Sequence, residues 1–299
     1  MGAWIWVAPG VPAPPLEQRP ELESSTDMDG LGPALGSGDS ALANEVIDTA
    51  TEPRDEELPT PGVPEAAPLT IKVLGSVEVD PELAPSKRSV VLELACYLAL
   101  HRRRAVTTEE LQIALSRDDD GPETSPKSVR TYMSELRRWL GSDRVPSARG
   151  SGYRLADSVT SDWAEFQALV KRVLEDPEEE ISALVQALNM VRGRPFDGTK
   201  YTWVDSELLV SEMEVAIGAA ARRLGEIAAA RGEPAGFAFF AGRRAVLACP
   251  YDFGLWEMAL EGAAGWDPDE LAKTWHLARV TLGDDVAALE DVARRLGLL

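Results

Sequence analysis

The chain has 299 residues, 44% of them apolar, a length that suits about two globular domains of ~150 residues each. With 50 acidic against 30 basic residues its formal net charge is −20, which taken over the whole chain argues against a polyanionic partner and leaves such binding to whatever local positive field the chain holds. Its two cysteines, Cys96 and Cys249, lie far apart within apolar helical patterns; they argue against a disulfide framework or a metal site and fit buried thiols in a reducing, cytoplasmic compartment.

Residues 1–68 carry 11 of the 21 prolines, with 13 acids, two bases and no sustained apolar period, so they are expected to form a disordered acidic tail. The apolar opening, Met1–Val11, is short, has no basic flank and runs into Pro9, Pro12, Pro14 and Pro15, which predicts neither a signal peptide nor a membrane span. A competing reading takes Ala3–Val7 as the end of a membrane segment that starts upstream; membrane attachment is the less favoured expectation.

From Leu69 the pattern changes. Thr70–Leu74 and Val77–Val79 alternate around Gly75-Ser76 and predict a β-hairpin. Ser86-Lys87-Arg88 opens a helix with Val90, Val91, Leu94, Ala95, Leu98 and Ala99 at helical spacing, ending in His101–Arg104. Thr107 or Thr108 ahead of Glu109-Glu110 caps a second, shorter helix through Leu111, Ala114 and Leu115. An acidic loop, 118–124, leads to Ser125-Pro126, a cap followed by proline at the first helical position, and a third helix is predicted over 126–140. Residues 86–154 hold 13 bases and nine acids and are the only net basic segment.

On a helical wheel Val129, Met133, Leu136 and Leu140 make the buried stripe of the third helix, flanked by Tyr132 and Trp139. Its other side carries Lys127, Thr131, Ser134 and Arg138, with Arg130 and Arg137 on the shoulder. Cations and short hydroxyl donors on one helix face are what a major-groove reader presents to phosphates and base edges. The segment Arg144–Leu155 reads as two short strands around a glycine-rich tip bearing Arg149, the form of a wing that reaches the neighbouring backbone. The candidate DNA-binding residues are therefore Lys127, Arg130, Thr131, Ser134, Arg137, Arg138 and Arg149. Arg102–Arg104 are expected to lie away from that face.

Taken together, Ile71–Gly75, the helix from Ser86, Leu111–Leu115, Ser128–Gly141 and Gly152-Tyr153-Arg154-Leu155 resemble the winged helix of OmpR-like regulators. The form is most similar to that of the antibiotic regulatory proteins of actinomycetes, which join a winged helix to a bacterial transcriptional activator domain. The resemblance implies a recognition helix at Lys127–Leu140. Ser116 stands where the family usually has tryptophan, and the acidic loop argues against DNA contact from that flank. The 68-residue tail is expected to be no receiver domain, so phosphorylation control of the OmpR kind is not implied.

From Asp162 onward nearly every window has helical period, and Pro234 and Pro268 stand 34 residues apart, the period of tetratricopeptide helix pairs. The segment Val191–Phe196 and Trp203 resemble part of the activator domain, and Trp256, Trp266 and Trp275 are expected in the core of the repeats. The expected architecture is mostly α: a disordered tail (1–68), a winged helix-turn-helix (69–157) and an all-α tetratricopeptide-like domain (158–299). No enzyme is expected. His101 and His276 have no Cys or acidic neighbours at metal spacing, no phosphate loop follows a strand, and neither cofactor nor metal is called for. The expected function is sequence-specific binding of double-stranded DNA by a transcriptional regulator; the resemblance implies that the helical half serves homodimerisation, contact with the transcription machinery such as RNA polymerase, or ligand sensing. The competing expectation is a protein-interaction module that does not bind DNA.

Overall fold

Leu69–Lys72 (β1) alternates between buried and half-buried positions, with Leu69 and Ile71 essentially inaccessible, as a strand covered on one face requires. It pairs antiparallel with Glu78–Val79 (β2), Ile71 opposite Val79, which is the predicted hairpin. On its other edge β1 pairs in parallel with Val159–Ser161 (β3), giving the order β2-β1-β3. This third strand was not foreseen. It has three residues, and a parallel partner some ninety residues away leaves no local turn signal. The computed structural model describes residues 68–79, 83, 86, 88–116, 124–147, 152–175 and 179–299. The tail expected over 1–68, apart from Pro68, and most of the acidic loop lie outside them.

Three helices complete the winged helix. The first (α1, Ser89–Leu100) starts later than the expected Ser86, with Arg88 at its cap position. The second (α2, Thr108–Ala114) is closed by a reciprocal capping box: Thr107 Oγ1 accepts from the Glu110 N–H, and the Thr107 N–H donates to the Glu110 carboxylate at 2.7 Å. The third (α3, Pro126–Leu140) has the predicted bounds, with Ser125 capping and Pro126 in its first turn.

The remaining chain is helical, as expected: α4 (Asp162–Glu175), α5 (Glu180–Asn189), α6 (Thr202–Ser206), α7 (Leu209–Arg231), α8 (Gly236–Ala248), α9 (Phe253–Ala264), α10 (Pro268–Leu282), a 3-10 segment (Gly283–Leu289) and α11 (Glu290–Arg295). Successive long helices pack side by side, α7 on α8, α8 on α9 and α9 on α10. Trp256 and Trp275 are buried in that stack and Trp266 is half-buried, its ring 5.0 Å from Phe239. Glu180 opens α5 but does more than complement a helix dipole: its buried carboxylate accepts Arg223 at 2.6 Å and Arg231 at 3.3 Å, tying α5 to α7. No helix among the described residues is long and apolar enough to cross a membrane.

The helical half closes directly over the winged helix. Helix α1, read as amphipathic, also buries Glu93, Cys96 and Tyr97, because its second face is covered too. The Tyr97 ring meets Trp203 edge-on at 5.0 Å. His101 places Nδ1 2.9 Å from the Tyr97 carbonyl and Nε2 3.2 Å from Glu207. The turn after β1 is braced by the 192–197 segment: Arg192 N–H donates to Leu74 O (2.8 Å), Phe196 N–H to Val73 O (2.9 Å) and Asp197 N–H to Gly75 O (3.1 Å). Gly75 is obligatory there, since φ is +152° and a Cβ would stand 3.0 Å from the Arg192 Cβ. From the first turn of α4, the buried Asp162 carboxylate accepts the Val73 N–H at 2.7 Å and the Leu74 N–H at 3.1 Å.

Burial pushes the Cys96 thiol upward, and it carries the half-buried Cys249 thiol up to about 12, so both stay protonated. Cys249 donates weakly to the Glu214 carbonyl at 3.2 Å.

Candidate nucleic-acid interface

The orientation of α3 follows from its apolar stripe. Val129, Met133, Leu136 and Leu140 are at most 2% exposed and seat the helix on α1 and α2. The opposite face is thereby turned to solvent. Lys127, Arg130, Thr131, Ser134 and Arg138 are all exposed, at spacings of three and four residues that stack them along one side. Among the described residues no ion pair holds Lys127, Arg130 or Arg138. The acid nearest to competing with them in sequence, Glu135, is drawn off to Arg88 on the α1 side, at 3.3 Å. Thr131 spends its hydroxyl proton on the Lys127 carbonyl (3.0 Å) and keeps its lone pairs as acceptors.

Arg137 lies elsewhere. Its Nε donates to the Val145 carbonyl at 2.9 Å and its terminal nitrogen to the Pro146 carbonyl at 3.1 Å, so its guanidinium pins the chain that leaves α3. The position on the wheel that marked it as a shoulder residue also lets it reach back over Gly141. Replacing Arg137 by Ala is expected to loosen the 142–147 turn and cost about 1–2 kcal/mol of stability, two neutral-to-charged hydrogen bonds being lost at a half-buried site. A urea titration checks this, and an unchanged midpoint would show that the tie is unimportant.

The expected two-strand wing over 144–155 is corrected in part. Residues 142–145 form turns, and Tyr153 pairs with Val106, the residue between α1 and α2, through reciprocal bonds of 2.7 and 2.8 Å. The reason is local: Pro146 has no N–H to place in a ladder, and Arg137 already takes the carbonyls of Val145 and Pro146. Gly152 permits the pairing, because φ is +92° and a Cβ would come within 2.6 Å of the Val106 carbonyl. The Arg144 carbonyl accepts the Ala156 N–H at 2.9 Å, closing the base of the segment. Arg149 and the tip around it lie outside the described residues. Arg154, which the sequence reading quoted only as part of a motif, is exposed beside Tyr153.

The arginines after α1 are partly consumed within the fold. Arg102 donates to the Thr160 hydroxyl at 3.1 Å and Arg104 pairs with Glu110 at 2.6 Å, while Arg103 is exposed. These contacts brace α1 against β3 and α2.

Residues 88–155 match the family described as transcriptional regulatory protein, C terminal, and this is the resemblance to OmpR-like winged helices read from the sequence. Residues 88–155 are thus similar to the C-terminal domain of transcriptional regulatory proteins, and a helical region follows them. No curated protein matches the chain. Among solved structures it is similar to Mycobacterium tuberculosis EmbR in complex with a low-affinity phosphopeptide, at 23% identity and a TM-score of 0.48 over 76% of this chain. The matched part spans 64% of that protein's chain.

Proposed function

We propose that this chain is a transcriptional regulator that binds double-stranded DNA sequence-specifically, with the recognition helix 126–140 in the major groove and the wing segment 144–155, including Arg149, on the adjacent backbone. The observation that carries this reading is the solvent face of α3: three cations and two hydroxyls aligned on one side of a helix whose other side is core, with the neighbouring acid diverted to Arg88. In a chain of net charge −20 this face lies within the only net basic segment, and counterion release at phosphates is the available source of affinity. Arg130 and Arg138 suit bidentate contacts to guanine edges or phosphates, Lys127 a phosphate near the helix N-terminus, and Thr131 and Ser134 either kind of partner. Arg137 acts in this scheme by holding the wing segment to α3.

The helical half, 158–299, holds more acids than bases and is assigned to protein contacts: pairing of two copies on a repeated site, and contact with RNA polymerase. Its successively packed helices favour a tetratricopeptide-like arrangement, with Pro268 in the first turn of α10 behind the Asp267 cap. A single winged helix reads a small footprint, so two half-sites are needed for useful specificity. The protein works in the cytoplasm on this reading and needs neither cofactor nor metal.

The test is a titration of the full chain against duplex DNA selected from a random pool, followed by fluorescence anisotropy at several salt concentrations. Binding is expected to fall with a log–log slope of about −3 or steeper, near one unit for each phosphate neutralised. Failure of any duplex to bind in a salt-sensitive way overturns DNA binding and leaves a winged helix used for protein contact.

A further inference from the structure

A groove of about 520 Å³ runs between α7, α8 and α9, on the part of the chain that DNA recognition does not use. Its floor is built of small side chains, Ala228 and Ala229 of α7 with Ala235 and Ala238 around the start of α8, so a polypeptide backbone can approach closely. Its rim carries Glu233, Glu257 and Glu261, and among the described residues no lining side chain is basic.

The chemistry the rim accepts is visible within the molecule. Glu257 and Glu261 stand one turn apart on α9, and each takes a 2.9 Å bond from the same guanidinium nitrogen of Arg295. Their side chains stay 44% and 52% exposed, and a carboxylate has more acceptor sites than one such bond uses. We propose that this groove docks a short basic segment of another protein, an arginine of which sits on the Glu233, Glu257 and Glu261 rim while its backbone lies on the alanine floor. An arginine is favoured over a lysine because a planar guanidinium can engage two carboxylates at once.

Charge excludes the other occupants. The chain's own segment 1–68, with 13 acids and two bases, would be repelled, and so would DNA. A purely apolar partner would strip water from three glutamates without replacing it.

The probe is a fluorescein-labelled peptide of alternating arginine and alanine, titrated into the 299-residue chain and followed by anisotropy, beside its citrulline counterpart. Saturable one-to-one binding is expected, at least tenfold tighter for arginine than for the neutral citrulline. Ala229→Trp, which fills the groove without changing charge, and Glu233→Gln with Glu257→Gln should each weaken it at least tenfold. Asp284→Asn with Asp285→Asn, which removes the same charge from the exposed 3-10 segment, should change it less than twofold. Thermal melting verifies that each variant folds; should Ala229→Trp not fold, the two charge-matched pairs decide. Absence of saturable binding, equal losses from both pairs, or wild-type binding by a folded Ala229→Trp variant overturns the proposal. Self-association that the peptide displaces would assign the groove to a second copy and also overturn it. Affinity for duplex DNA should be unchanged in every variant, which separates this outcome from that of DNA recognition.

Discussion

Replacing Arg130 or Arg138 by alanine is expected to weaken binding of the full chain to its selected duplex by about 1–3 kcal/mol, roughly a factor of 5 to 150, if the guanidinium reads a base edge. Where it holds only a phosphate, the loss should be uniform across sequences and the salt slope should become shallower by about one unit. Both side chains are exposed, and neither has an ion pair among the described residues, so their loss costs the fold little and the effect is one of binding. Arg102→Ala and Arg104→Ala make the comparison. Their guanidinium groups are engaged within the fold, by Thr160 of β3 and Glu110 of α2, so they should affect stability more than DNA affinity. Anisotropy titrations of the four variants decide the matter, and equal losses of DNA affinity from both groups would refute the placement of α3 in the groove.

Asp162→Ala should destabilise the chain by about 2–4 kcal/mol in a urea titration, because it leaves two buried backbone N–H groups, those of Val73 and Leu74, without an acceptor. It also removes the carboxylate 3.6 Å from Arg192, whose other nitrogen meets Glu78 at 3.1 Å and the Ser76 carbonyl at 3.1 Å. The Asp162 carboxyl is held above the ordinary aspartate range by burial, against the two backbone N–H bonds and Arg192, which favour the charged form. With the folded value above the unfolded one, the native state binds the extra proton. Its contribution is therefore present below the ordinary aspartate range and declines as pH rises through the folded value. The stability of the wild-type chain minus that of Asp162→Asn, which does not titrate, should decrease over that window. A difference that rises with pH instead would show the carboxylate to be stabilised by its hydrogen bonds beyond the cost of burying it.

Both expectations concern features that the sequence exposed unequally. The exposed basic face of α3 was legible because it depends on one helix: Ser125-Pro126 marks the start, the spacing Val129, Met133, Leu136, Leu140 marks the inside, and the outside follows by geometry. Asp162, in contrast, sits in the sequence as an acid at a helix start, and nothing nearby says that its partners are amides ninety residues earlier. Arg137 was read as a shoulder of the DNA face because a wheel reports direction and not reach. Its long side chain turns back to the Val145 and Pro146 carbonyls, a choice made by the path of the chain after Gly141.

What the sequence determined by itself is therefore whatever is encoded within a turn or two of backbone. That covers the β1–β2 hairpin, the capping box at Thr107, the bounds and amphipathic face of α3, the helical period after Asp162 and the single net basic segment in an acidic chain. Only the tertiary structure decided the pairing of β3 with β1, the bridge of Tyr153 to Val106, and the second cover over α1 by Trp203 and Glu207. It likewise joined the β1 turn to Asp162 and the 192–197 segment, and drew α7, α8 and α9 into an acidic groove. The physical reason is one of range. Periodicity and caps report local hydrogen bonding and which face is apolar, whereas a parallel strand, a buried carboxylate or a groove is satisfied by groups distant in sequence, and these become neighbours only when the chain has folded.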